Sequence, residues 1–156
     1  MRQLRIKPQL CQSQIISSIC GYDYSLSNED QNSYSPGWTN GSIDGYNSAI
    51  VKAFEYESYT EIDGYFNLGG YGDGGYVYEF RGSLNDIQSN LSMLHQLNWI
   101  DNRTRVVIIE MSLYNPNVEL FTSATFVLEF PSIGGVNPQV RFEPIDFYRK
   151  KFFFFK

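Results

Sequence analysis

The strictest pattern lies in the second half of the chain. Over residues 118–130, Val118, Leu120, Ala124, Phe126, Leu128 and Phe130 fall on one side of an extended backbone, and Glu119, Ser123, Thr125 and Glu129 fall on the other. Residues 105–114 alternate likewise, with Ile109, Met111 and Leu113 opposite Glu110 and Ser112. Strand side chains point to alternate faces, so a period of two predicts long strands with one buried face, the habit of antiparallel sheets. Asn115-Pro116-Asn117 connects the pair. Residues 139–148 read as a third strand after a turn over 131–138. Residues 76–80 read as an earlier one, with Tyr76, Tyr78 and Phe80 on one face.

A different period runs through residues 84–98. Leu84, Ile87, Leu91, Leu94 and Leu97 recur at spacings of three and four, the stripe of a helix packed on a core. Ser83 and Asp86 supply a capping box for its first turn. If the whole stripe is core, Leu91→Asp should unfold the domain. Ala49, Ile50, Val51, Ala53 and Phe54 fit one or two helical turns within residues 49–57. Residues 21–48 and 63–75 are rich in Gly, Ser, Asn, Asp and Tyr, and read as turns and loops. The order predicts an α+β fold, an antiparallel meander with helices on one face and a protruding loop region.

Composition narrows the picture. A length of 156 residues suits one domain, and 17% aromatics with 13 Gly favours strands and turns over a helical bundle. The formal charge is -5, which argues against a phosphate backbone as partner, so no nucleic acid is expected. One His and two Cys leave little for zinc or Cys–His chemistry, and no cofactor is expected. The N-terminus lacks the apolar core of a signal peptide. No run approaches the ~20 apolar residues of a membrane span.

The search for catalytic chemistry finds no coherent set. Residues 70–75 match the spacing of a dinucleotide loop, but a strand follows them where a helix should, so they read as a tight glycine turn. His95 sits near the leucine stripe and reads as a structural, hydrogen-bonded histidine. Asp63, Asp73, Glu110 and Glu129 are the carboxylates from which a pair could be built. Glu110 and Glu129 lie on adjacent predicted strands, yet nothing separates them from solvated strand residues. There is no nucleophile elbow and no EF-hand loop, and the chain reads as not an enzyme. Cys11 and Cys20 are either two thiols or a disulfide. Their even number, close spacing and polar surroundings favour the bridge, and with it an oxidising compartment. Asn40, Asn90 and Asn102 each begin a glycosylation sequon.

Leu97-Asn98-Trp99-Ile100-Asp101-Asn102-Arg103-Thr104-Arg105, followed by Val106-Val107-Ile108-Ile109-Glu110, resembles the polycystin family. So do Tyr114-Asn115-Pro116-Asn117, Leu120-Phe121 and the run from Glu129 to Gly135. Upstream, Gly74-Gly75-Tyr76-Val77, Tyr34-Ser35-Pro36-Gly37-Trp38 and Arg2-Gln3-Leu4-Arg5 are similar to family segments in the same order. The Asp-Asn-Arg-Thr-Arg wording is more similar to the polycystin-1 branch than to the polycystin-2 branch.

The resemblance implies that residues 1–148 are the polycystin or TOP domain. This is an extracellular or lumenal α+β lid between the first two helices of a six-helix channel-like unit. It implies a disulfide early in the domain, which fits Cys11 and Cys20. Residues 149–156 would be the truncated start of a membrane helix or a chain-end artefact. The implied partners are polycystin-family subunits in a homo- or hetero-tetramer. The implied role is assembly and gating of a calcium-permeable cation channel complex in a membrane such as the plasma membrane or cilium. Tyr and Trp suit interfaces, so Pro36, Gly37 and Trp38, and Tyr71 and Asp73 in the glycine turn, are the expected subunit contacts. The rival is a free-standing secreted module whose aromatic loops stack on sugars or bind a protein.

Overall fold

The computed structural model describes residues 1–8, 21–41, 45–58 and 71–145. In chain order the elements are β1 (Arg2–Arg5), α1 (Ser48–Lys52), β2 (Tyr56–Glu57), β3 (Gly75–Val77), α2 (Leu84–Gln96), β4 (Thr104–Asn115), β5 (Leu120–Glu129) and β6 (Asn137–Ile145). The strands form one six-stranded sheet in the order β2-β3-β1-β4-β5-β6, every pairing antiparallel. The α+β class holds, and β4-β5-β6 is the expected meander. The expected strand at 118–130 starts later, at Leu120, because Glu119 is left-handed at φ 51° and closes the turn. Only Gly75–Val77 of the segment before α2 is laddered, although Tyr78 continues its buried face. Residues 59–70, which hold Asp63 and part of the loop region, and residues 146–156 lie outside the described residues.

Local chemistry sets the helix ends. Asn47 caps α1 by accepting the Ile50 amide at 2.8 Å. Ser83 and Asp86 form the expected capping box on α2. Asn98, at φ 51°, turns the chain out of the helix. Its neighbour Trp99 drops into the core, where its indole N–H donates to the Ala53 carbonyl at 2.7 Å.

The core is double, one cluster on each face of the central strands. Register places Leu4 beside Val106 and Ile108 beside Val127, and these four form the smaller cluster. On the opposite face Gln3 lies beside Tyr76 and Val107. Tyr76 there joins Ile50, Ala53, Phe54, Tyr78, Leu94 and Trp99 in the larger cluster. This corrects the expectation of a single buried face. From Thr104 to Ile108, β4 is buried on both faces. From Glu110 onward it is exposed, because β1 and β3 reach only its first half.

The leucine stripe needs a second correction. Leu94 is 2% exposed, but Leu84 is 69% and Leu91 51% exposed. The helix meets the core only through its last turn, where Met93, Leu94 and Leu97 pack, and its first turns project outward. For the same reason His95, expected as a structural, hydrogen-bonded histidine, is exposed. Leu94→Ala should therefore cost about 2–5 kcal/mol in urea denaturation, and Leu91→Asp about 0.5 kcal/mol or less. An unfolded Leu91→Asp chain would contradict this packing.

Candidate functional site

The Pro-Gly-Trp turn is tied inward. Ser35 and Thr39 pair through their backbones, while Gly37 (φ 77°) and Trp38 (φ 60°) both take left-handed conformations. The Trp38 ring lies 3.2 Å from the Arg5 guanidinium carbon and makes edge contacts with Phe54 and Tyr76 at 4.7 and 4.9 Å. Its indole N–H donates to the Asn98 carbonyl at 2.8 Å. Pro36 is buried and Trp38 half-buried, so of the three residues expected to face a neighbour only Gly37 is fully exposed. Beneath the turn, Arg5 reaches Asp101 at 2.9 Å. Burial pushes the Arg5 guanidinium below its usual range, and Asp101 works against that.

The glycine turn is a lid over the smaller core. Tyr24 and Tyr71 pack on that cluster, and their rings touch at 5.1 Å. The Tyr71 hydroxyl donates to Glu129, and the Tyr24 and Tyr56 hydroxyls both donate to the buried Glu29 at 2.8 Å. The Gly72 amide donates to the Tyr24 hydroxyl at 2.8 Å. The Arg2 guanidinium gathers the carbonyls of Asp73 and Gly74 at 3.1 and 3.4 Å. Gly75 sits at φ 141°, and a Cβ there would lie 2.7 Å from the Gln3 carbonyl oxygen. Tyr71 is thus spent inside the domain, and Asp73 is exposed.

Glu110 and Glu129 do not form a reactive pair. Glu129 stands opposite Val106, and Glu110 stands opposite Thr125. Four strand positions separate them, roughly 13 Å at strand rise. Glu129 accepts from Tyr71, Asn137 and Gln139. Among the described residues no group of three His, Cys, Asp or Glu side chains is placed to hold a metal. His95 lines an apolar groove of about 610 Å³ with Met1, Leu91, Ser92, Trp99 and Ile100, where the Ser92 hydroxyl is engaged in donating to the Gln88 carbonyl at 2.9 Å. Asn40 and Asn102 are exposed, and Asn90 is half-buried on α2. Cys11 and Cys20 lie outside the described residues.

Sequence reasoning missed a contiguous exposed apolar surface. Beyond the core, β4, β5 and β6 continue as a three-stranded ribbon. On one face Ile109, Phe126 and Val140 form one cross-strand row, and Met111, Ala124 and Phe142 the next. Leu113 is 53% and Phe142 58% exposed. Pro138 and Pro144 on β6 interrupt the outer edge, so the ribbon offers its face better than its edge. The signal was present in the β6 sequence, where Val140 and Phe142 share a face with the apolar side of β5.

The family model of the polycystin domain matches residues 1–148. Human polycystin-2-like protein 1 is 32% identical, covering 96% of this chain and 18% of its own length. Zebrafish (Danio rerio) polycystin-2 is 30% identical, over 96% of this chain and 16% of its own length. Human polycystin-1 is 44% identical over a shorter stretch, 41% of this chain and 2% of its own length. The likeness is longer toward the polycystin-2 group and tighter toward polycystin-1. The chain spans less than a quarter of the length of these relatives.

The lid makes two testable demands. Gly75→Ala should cost about 1–3 kcal/mol in denaturant melts, since it adds both a strained backbone and a collision with β1. The second concerns alkali. Burial, then the bond and charge of Glu29, push Tyr56 up to about 12, and Tyr24, Tyr71 and Tyr76 shift the same way. The fold holds these phenols protonated. Their stabilisation is therefore complete below the unfolded value of ~10 and is lost as pH rises through the folded values. Tyrosinate absorbance should rise in two stages, with the second near or above pH 12 and accompanied by unfolding. A single rise near pH ~10 would contradict the lid.

Proposed function

The chain belongs to the polycystin family, and from that premise we propose that it is the extracellular or lumenal domain of a polycystin membrane protein. Its role in this reading is non-enzymatic. It joins subunits of a calcium-permeable cation channel complex and influences their gating. No helix among the described residues is long and apolar enough to cross a membrane, so conduction would belong to other parts of a longer protein.

One observation carries the reading: the bare apolar ribbon. Met111, Leu113, Val140 and Phe142 form a contiguous exposed face that none of the described elements packs over, and such faces mark contact sites. The occupant we propose is a second polycystin subunit, in a homo- or hetero-tetramer. Gly37 and Asp73 remain available at the rims, whereas Pro36, Trp38 and Tyr71 support the contact only indirectly, by holding their loops. A Cys11–Cys20 bridge and glycans at the exposed Asn40 and Asn102 fit the same compartment. Asn90, half-buried on α2, is the least open of the three sequons. The secreted-module reading loses support, because the rings of Tyr24, Tyr56, Tyr71 and Tyr76 are engaged within the fold.

The test is charge on the ribbon. An uncompensated carboxylate buried in an interface costs about 2–5 kcal/mol, so Leu113→Asp and Phe142→Asp should each weaken subunit association at least about thirtyfold. The readout is crosslinking of the full-length protein in membranes, with Leu84→Asp on the projecting helix as control. Unchanged assembly in both ribbon variants would refute the proposal.

A further inference from the structure

Trp38 occupies a backbone region that L residues with bulky side chains avoid, so something must hold it there. Its hydrogen-bond acceptor belongs to Asn98, itself left-handed at φ 51°. The closest cover is Arg5, whose guanidinium carbon lies 3.2 Å from the ring. Arg5 has no exposed surface, and its Nε and Nη1 meet no acceptor among the described residues. The groups facing it are Asp101 at 2.9 Å and the rings of Trp38, Tyr34 and Tyr76. Each partner therefore depends on the other. Without Arg5 the strained turn loses its nearest contact, and without Trp38 the cation loses the cover of one face.

The two residues belong to elements with little else in common. Arg5 ends β1, whereas Trp38 sits in a turn closed by the Ser35–Thr39 pair, whose Gly37 and Thr39 are exposed. We propose that the Arg5–Trp38 stack is a latch between β1 and the 35–39 turn. With β1 seated, the turn is closed. Withdrawal of Arg5 releases Trp38 to the surface while the rest of the core stays packed. The latch would let the position of β1 be read on the outer surface, and it does not depend on which surface joins subunits.

The chain has two tryptophans, so 5-fluorotryptophan labelling of the full chain gives two fluorine signals, with Trp38→Phe assigning one. In Arg5→Met the Trp38 signal should take the solvent isotope shift of the unfolded chain while the Trp99 signal stays in place. Amide exchange at Thr39 should speed up at least about tenfold. Arg5→Lys keeps the charge but loses the flat face, so it should release Trp38 in part, and it decides the matter should Arg5→Met fail to fold. An unmoved Trp38 signal, or both signals moving together, would overturn the latch.

Discussion

Arg5 is a cation without exposed surface, and much of the domain is arranged around that fact. Taking a charge out of water costs several kcal/mol unless partners replace the lost solvation. One carboxylate, Asp101, comes from the turn before β4, and three aromatic rings come from the loops before α1 and from β3. These segments must arrive together or the cation is stranded. The other residues of β1 act similarly. Gln3 donates to the Trp99 carbonyl and accepts from Thr104, Leu4 anchors the smaller core, and Arg2 gathers the glycine turn. Four residues at the middle of the sheet thus reach the glycine turn, the turn before β4 and the loop that holds Tyr34 and Trp38.

That explains what could be read from the sequence and what could not. The capping box, the α2 helix and the β4–β5 pairing were legible because each is written in a local period or a fixed spacing. β1 was not. Arg-Gln-Leu-Arg carries no apolar alternation, and its polar side chains are satisfied or covered by partners about 30 to 100 residues away. The inward packing of Trp38 and Tyr71 escaped the sequence for a related reason. Trp and Tyr in a polar, glycine-rich stretch suit an interface. Here the same rings roof the core, and no local pattern distinguishes the two uses.

The helix and the ribbon show the limit from the other side. Periodicity says which residues share a face, but it does not say what covers that face. Leu84 and Leu91 obey the helical stripe and Met111 and Leu113 obey the strand alternation, yet all four are exposed. Burial requires a partner surface, and within this domain β1, β3 and the short α1 reach only the near half of the sheet. The same pattern that predicts a core in a closed domain predicts an interface in an open one.

β1 and β6 meet different surroundings in the sheet. β1 is laddered on both sides, to β3 and to β4, so a displacement entering there would disturb both pairings and both cores. Among the described residues β6 is laddered on one side only, and it carries two prolines. The Trp38 turn, the glycine turn and the turn before β4 all converge on β1. The exposed apolar face lies away from them, on the far half of β4 and on β6.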